Sequence, residues 1–121
     1  MHRILIAEDH TGMRHALRRL FTHYDDWQVC GDVADGREAV DAALELKPDL
    51  VLLDYGMPNK NGIEAASEIK EKLPQTPIVI FALNKTRQLE AMAQQVGVRA
   101  VIGKEDGVRV LLHAVDKEVG N

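Results

Sequence analysis

Leu50-Val51-Leu52-Leu53-Asp54-Tyr55-Gly56-Met57-Pro58 decides how this chain is read. Four consecutive apolar residues without polar alternation suit a strand buried on both faces, as strands of a parallel sheet are. The run stops on a carboxylate, Asp54. Met57-Pro58, followed by Asn61-Gly62, predicts a tight turn that holds the segment after Asp54 in place. Working outward, similar apolar runs occupy residues 3–7, 78–82 and 100–102, and residues 28–33 form a weaker one. Between them apolar residues recur at helical spacing. Met13, Ala16, Leu17, Leu20, Phe21 and Tyr24 mark the first helix, and Ala39, Val40, Ala43 and Leu44 mark a second that Pro48 stops. Ile63, Ala66, Ile69 and Leu73 mark a third, ended by Pro74 and Pro77. Leu89, Met92, Ala93 and Val96 mark the fourth, with Gly97 as its C-cap. Val108, Leu111, Leu112, Val115 and Val119 mark the fifth, for which Asp106 is the expected N-cap. Five strand–helix pairs in strict alternation predict an α/β fold, a five-stranded parallel sheet with helices on both faces.

Binding sites in such sheets lie beyond the carboxyl ends of the strands, where strand order switches. Those ends carry Glu8-Asp9 after the first strand, Asp54 after the third and Gly103-Lys104 after the fifth. Three carboxylates gathered in a small space raise one another's pKa unless a cation intervenes. Oxygen ligands with open positions suit Mg²⁺, which is typically held by one or two carboxylates, water and phosphate oxygens. Such an ion neutralises an incoming phosphoryl group and leaves one carboxylate to attack it. Lys104 is then placed to meet phosphoryl oxygens as a point charge.

Composition narrows the remaining classes. The chain has 121 residues, is 45% apolar and carries no linker or repeat, so residues 1–121 are read as one globular domain. Only 4% of residues are aromatic, which leaves Val, Ile, Leu, Ala and Met to build the core. A formal net charge of −4 argues against direct nucleic-acid binding by this chain. No apolar run approaches the length of a membrane span, and the N-terminus lacks a signal-peptide pattern. The single cysteine, Cys30, fits a reducing cytoplasm and reads as a small buried hydrophobe. There is no Gly-x-Gly-x-x-Gly after the first strand, no Walker loop and no Gly-x-Ser-x-Gly elbow. Gly56 occupies the place where a haloacid-type phosphohydrolase has its second aspartate.

These residues carry a resemblance. The chain resembles the response-regulator receiver domain, the phosphoacceptor module of two-component signalling. The matching pieces are Ile4-Leu5-Ile6-Ala7-Glu8-Asp9-His10, the block from Pro48 to Pro58, Asn61-Gly62 and Gly103-Lys104. Asp9-His10, and Glu105 after the lysine, look most like receivers that precede LuxR-type DNA-binding domains. The resemblance implies a flavodoxin-like fold with strand order 2-1-3-4-5. It implies Asp54 as phosphoacceptor and also as a Mg²⁺ ligand, together with Asp9, the backbone carbonyl of Gly56, and Glu8 largely through water. Lys104 would contact the phosphoryl group. A histidine kinase, a phosphotransfer protein or a small acyl phosphate would be the donor, and an output domain or partner protein the target. The domain would be a regulatory phosphoacceptor rather than an enzyme.

Two positions depart from the family's pattern. Ala82 stands where receivers usually carry Ser or Thr, and Thr86, the nearest hydroxyl, sits at the start of the next helix. Val101 replaces the aromatic residue that usually swings inward on activation. An alternative function follows, a phosphorylation-independent receiver that acts as a protein-interaction module. Elsewhere, His10 reads as an exposed helix-start residue, and Arg14, Arg18 and Arg19 as a basic face of the first helix. Trp27 begins the second strand, away from the expected site.

Overall fold

The computed structural model describes residues 1–120. In chain order the elements are β1 (His2–Ala7), α1 (Thr11–His23), β2 (Trp27–Val33), α2 (Gly36–Leu46) and β3 (Leu50–Asp54). There follow α3 (Gly62–Lys72), β4 (Ile78–Ala82), α4 (Arg87–Gln95), β5 (Ala100–Gly103), a 3-10 turn (Lys104–Asp106) and α5 (Val108–Glu118). The strands form one parallel sheet in the order β2-β1-β3-β4-β5. Strand order reverses between β1 and β3, and the ends of those two strands carry Glu8 and Asp54.

The period-two alternation of each strand sorts its side chains between two cores. Leu5, Ala7, Val51, Leu53, Ile78, Ile80 and Val101 pack beneath α2, α3 and α4, against Ala39, Ala43, Ala66, Ile69 and Ala93. Ile4, Ile6, Leu50, Leu52, Val79, Phe81 and Ile102 face α1 and α5, against Leu17, Phe21, Leu111 and Val115. All five residues of β3 are buried, as its unbroken apolar run requires. Truncating such a residue, Leu53→Ala for instance, costs about 2–5 kcal/mol through lost transfer energy and the cavity left behind. Among the described residues, no helix is long and apolar enough to cross a membrane.

The helix ends follow local chemistry. Asn61 caps α3 in a capping box with Glu64, each side chain accepting from the other's backbone N–H. After α4, Gly97 adopts φ +88° while its N–H donates to Gln94 and that of Val98 to Ala93, the two bonds of a Schellman motif. The expectation for Asp106 is corrected. Gly107, at φ +89°, precedes α5, and Asp106 Oδ2 instead accepts from the Gly103 N–H at 3.0 Å. The N–H of Gly103, the last residue of β5, competes for the carboxylate. β2 is the least regular strand: Ile4 pairs with Val29 but Leu5 with Gly31, which leaves Cys30 in a bulge.

Candidate functional site

Burial along β1 and β3 fixes where the carboxylates emerge. Asp54, the last residue of β3, is 7% exposed, and Glu8, directly after β1, is 1% exposed. Asp9 is exposed beside them, and one carboxylate oxygen from each of the three residues falls within 4.8 Å of the others. Lys104, opening the turn after β5, reaches across the edge of the sheet. Its Nζ lies 3.0 Å from Glu8 Oε1, 3.3 Å from Asp54 Oδ1 and 5.9 Å from the centre of the Phe81 ring. Gly56 lies in the β3–α3 turn, and it lines, with these residues, a cavity of about 590 Å³. The structure therefore brings together the four charged residues and the glycine singled out from the sequence.

The electrostatics are under tension. Burial, and then the Glu8 charge, push the Asp54 carboxyl up to about 7, although Lys104 pulls it down. Burial likewise opposes the charge on Lys104, but Glu8 and Asp54 outweigh it and its pKa is raised. Three carboxylates against one ammonium leave two negative charges uncompensated when all are ionised. Glu8 Oε2 accepts from the His10 N–H at 3.1 Å. Glu8 Oε1, by contrast, is buried without a well-aligned hydrogen bond, and the Lys104 ammonium lies 3.0 Å from it. An all-oxygen donor set, a deficit of two charges and an orphaned buried oxygen fit a small divalent cation such as Mg²⁺.

The departures are equally definite. Ala82 ends β4 at 1% exposure and lines the cavity without offering a hydroxyl there. The Thr86 hydroxyl accepts from the Leu89 N–H at 3.0 Å as the N-cap of α4, and Thr86 does not line the cavity. Val101, 8% exposed, is already packed in the core under α4. The basic face of α1 is partly spent. Arg14 donates to the Glu8 carbonyl at 3.0 Å and pairs with Asp32 at 3.4 Å, and Arg18 also pairs with Asp32. His10 is exposed at the start of α1, as expected, but it also caps that helix, Nδ1 accepting from the Met13 N–H at 3.1 Å. Trp27 Nε1 donates to Asp116, away from the acidic cluster. Sequence reading missed Met13 and Leu83, which give the cavity an apolar rim. It also missed the contact of α2 with the β3–α3 turn, although Asp35-Gly36 followed by Glu38 is an N-cap signature.

Fold and site together define the class. The sequence signature of the response regulator receiver domain matches residues 4–116, and the chain belongs to that family. Among curated proteins it is similar to the transcriptional regulatory protein YdfI of Bacillus subtilis, at 33% identity over 98% of this chain and 55% of the relative. The chain thus spans about half the length of the curated relatives it matches. Among solved structures it superposes on a LuxR-family DNA-binding response regulator from Staphylococcus aureus with a TM-score of 0.93, at 27% identity, covering 99% of this chain and 100% of the other. It is also similar to a chain in the CheX–CheY–BeF3–Mg²⁺ complex of Borrelia burgdorferi, with a TM-score of 0.89 at 25% identity over 96% of this chain and 87% of that one.

Proposed function

We propose that this receiver domain takes a phosphoryl group onto Asp54 in a Mg²⁺-dependent reaction and thereby regulates an output domain or partner. The observation that carries the reading is the meeting of a buried Asp54 with Glu8, Asp9 and Lys104 at the ends of three strands. Asp9, Asp54 and the Gly56 carbonyl would hold the ion, with Glu8 behind them. When bound, Mg²⁺ supplies charge neutralisation for the carboxylates and the incoming phosphoryl oxygens. An Asp54 oxygen forms a bond to phosphorus as the bond to the donor's leaving group breaks. The leaving group departs with that electron pair, as acetate from acetyl phosphate or as imidazole from a kinase's phosphohistidine. The Lys104 ammonium, already 3.3 Å from Asp54, pairs with a phosphoryl oxygen. By likeness to the transcriptional regulators among its relatives, the output is control of transcription, exerted outside this chain.

Ala82 favours a second reading, an interaction module whose partner is bound regardless of phosphorylation. Phosphate incorporation from labelled acetyl phosphate separates the two. The first reading expects near-stoichiometric, Mg²⁺-dependent labelling. Absence of label with Mg²⁺ present leaves the second.

A further inference from the structure

The only backbone group in the proposed metal site is the Gly56 carbonyl, and its direction depends wholly on the turn that carries it. No rotamer change can correct a misplaced carbonyl, and Mg²⁺ demands near-ideal octahedral geometry. What fixes that turn therefore governs how that carbonyl is presented. At its near end, the Gly62 N–H donates to the Tyr55 carbonyl at 2.7 Å, and a Cβ on Gly62 would meet the Asp54 carbonyl at 2.7 Å. Its far side rests on the start of α2. There the Gly36 N–H donates to the Pro58 carbonyl at 3.3 Å. A Cβ on Gly36 would collide with the Lys60 carbonyl oxygen, so at this point backbone touches backbone.

One side-chain bond closes this contact. Asp35 divides its carboxylate: Oδ1 accepts from the Glu38 N–H at 2.8 Å and caps α2, while Oδ2 accepts from Asn59 Nδ2 at 2.8 Å. Asn59 adopts φ +68°, a left-handed conformation that asparagine tolerates better than most residues. The Glu38 N–H, helped by the Asn59 amide, holds the Asp35 carboxyl below the usual carboxylate range, so the bond is charge-assisted at neutral pH.

We infer that Asp35 and Asn59 form a positioning clamp, tying the β3–α3 turn to α2 so that the Gly56 carbonyl is set for Mg²⁺ before the ion arrives. The inference rests on the phosphoacceptor reading above. Neither residue touches the ion or the phosphoryl group. Their contribution is to reduce the ordering that metal binding would otherwise require, as outer partners of metal ligands commonly do.

Two substitutions remove the bond while keeping each element's local requirement. Asp35→Ser retains an N-cap for α2 but cannot also reach Asn59. Asn59→Gly retains the left-handed backbone but lacks the amide. Titration calorimetry with Mg²⁺ alone should show each variant binding about tenfold more weakly than wild type. The double variant should bind no more weakly than either single one, because both remove the same bond. Phosphorylation from acetyl phosphate should need more Mg²⁺ yet reach the wild-type rate at saturation. In metal-free protein, the Gly36 amide should exchange its hydrogen faster in both variants. Single variants that bind Mg²⁺ within twofold of a binding-competent wild type overturn the clamp and leave the phosphoacceptor reading standing. Losses that multiply in the double variant overturn the clamp in the same way. A wild-type protein that binds no Mg²⁺ overturns both.

Discussion

The ends of β3 and β4 lie on neighbouring strands of the same sheet, and they are furnished very differently. Each strand is five residues long and wholly buried, and Asp54 pairs in register with Phe81, one residue before Ala82. Around Asp54 stand Glu8, Asp9 and Lys104, charges kept close at evident electrostatic cost. Ala82 itself offers only a methyl group, the Thr86 hydroxyl sits at the N-cap of α4, and Val101 on β5 is packed in the core. The contrast separates two tasks. Holding a phosphoryl group needs charge at the ends of β1, β3 and β5, whereas conveying its presence to α4 needs a group at the end of β4 that can follow it. A ligand shifts a conformational equilibrium only by its differential interaction with the two states. On this account the first task is equipped and the second is not.

The furnished side should break hardest. Lys104→Ala and Asp9→Ala are each expected to slow phosphorylation by acetyl phosphate about 10²-fold, in line with the loss of one preorganised electrostatic partner. Single-turnover rates at saturating Mg²⁺ give the comparison. Rates within a factor of three of wild type would remove either residue from the chemistry.

The stored repulsion should appear next, as stability. Folding raises the Asp54 pKa from its ordinary 3.8 to about 7. A carboxylate shifted upward contributes most below its unfolded pKa and loses that contribution as pH rises through the folded one. In metal-free buffer at pH 8, Asp54→Asn should therefore stabilise the protein, by on the order of 2 kcal/mol once water at the open cavity is allowed for. The advantage should shrink steadily as pH falls from about 7 to about 4. Denaturant melts at several pH values test it, and an advantage independent of pH would point to packing rather than charge.

Mg²⁺ should offset the same repulsion from outside. At ten times its dissociation constant it should stabilise the wild type by about 1.4 kcal/mol, a rise in melting temperature of roughly 5 °C. Asp9→Ala should abolish most of that rise. The smallest response is expected on the bare side. A phosphoryl mimic should move amide shifts in the loops after Asp9, Asp54 and Lys104 and leave α4 nearly still. Ala82→Ser, by supplying a hydroxyl, should enlarge the α4 response about fivefold, the worth of roughly one net hydrogen bond. Large shifts across α4 in the unaltered protein would show that coupling runs through other residues.

How much of this was legible depended on whether the signal was local. An unbroken apolar run ending in a carboxylate marks β3, and the same pattern places Glu8, Asp9 and Lys104 at neighbouring strand ends. Gly97 could be read because a left-handed C-cap needs only its own residue type. Asp106 was misjudged because a backbone donor three residues back, Gly103, competes for its carboxylate. The pairing of Arg14 and Arg18 on the basic face of α1 has no local sign because Asp32, their partner, comes from another element. The Asp35–Asn59 bond joins residues 24 apart in sequence and has no periodic signature at all. Local propensity and period were readable; pairings set by the packing of elements were not.

The most direct test of the central claim is to treat the protein with acetyl phosphate and Mg²⁺, trap the acyl phosphate by borohydride reduction, and map it by mass spectrometry. The account predicts a single modified residue, Asp54, and no modification when Mg²⁺ is chelated. Modification of Glu8 or Asp9 with Asp54 left free, or none anywhere in folded protein with Mg²⁺ present, would contradict it.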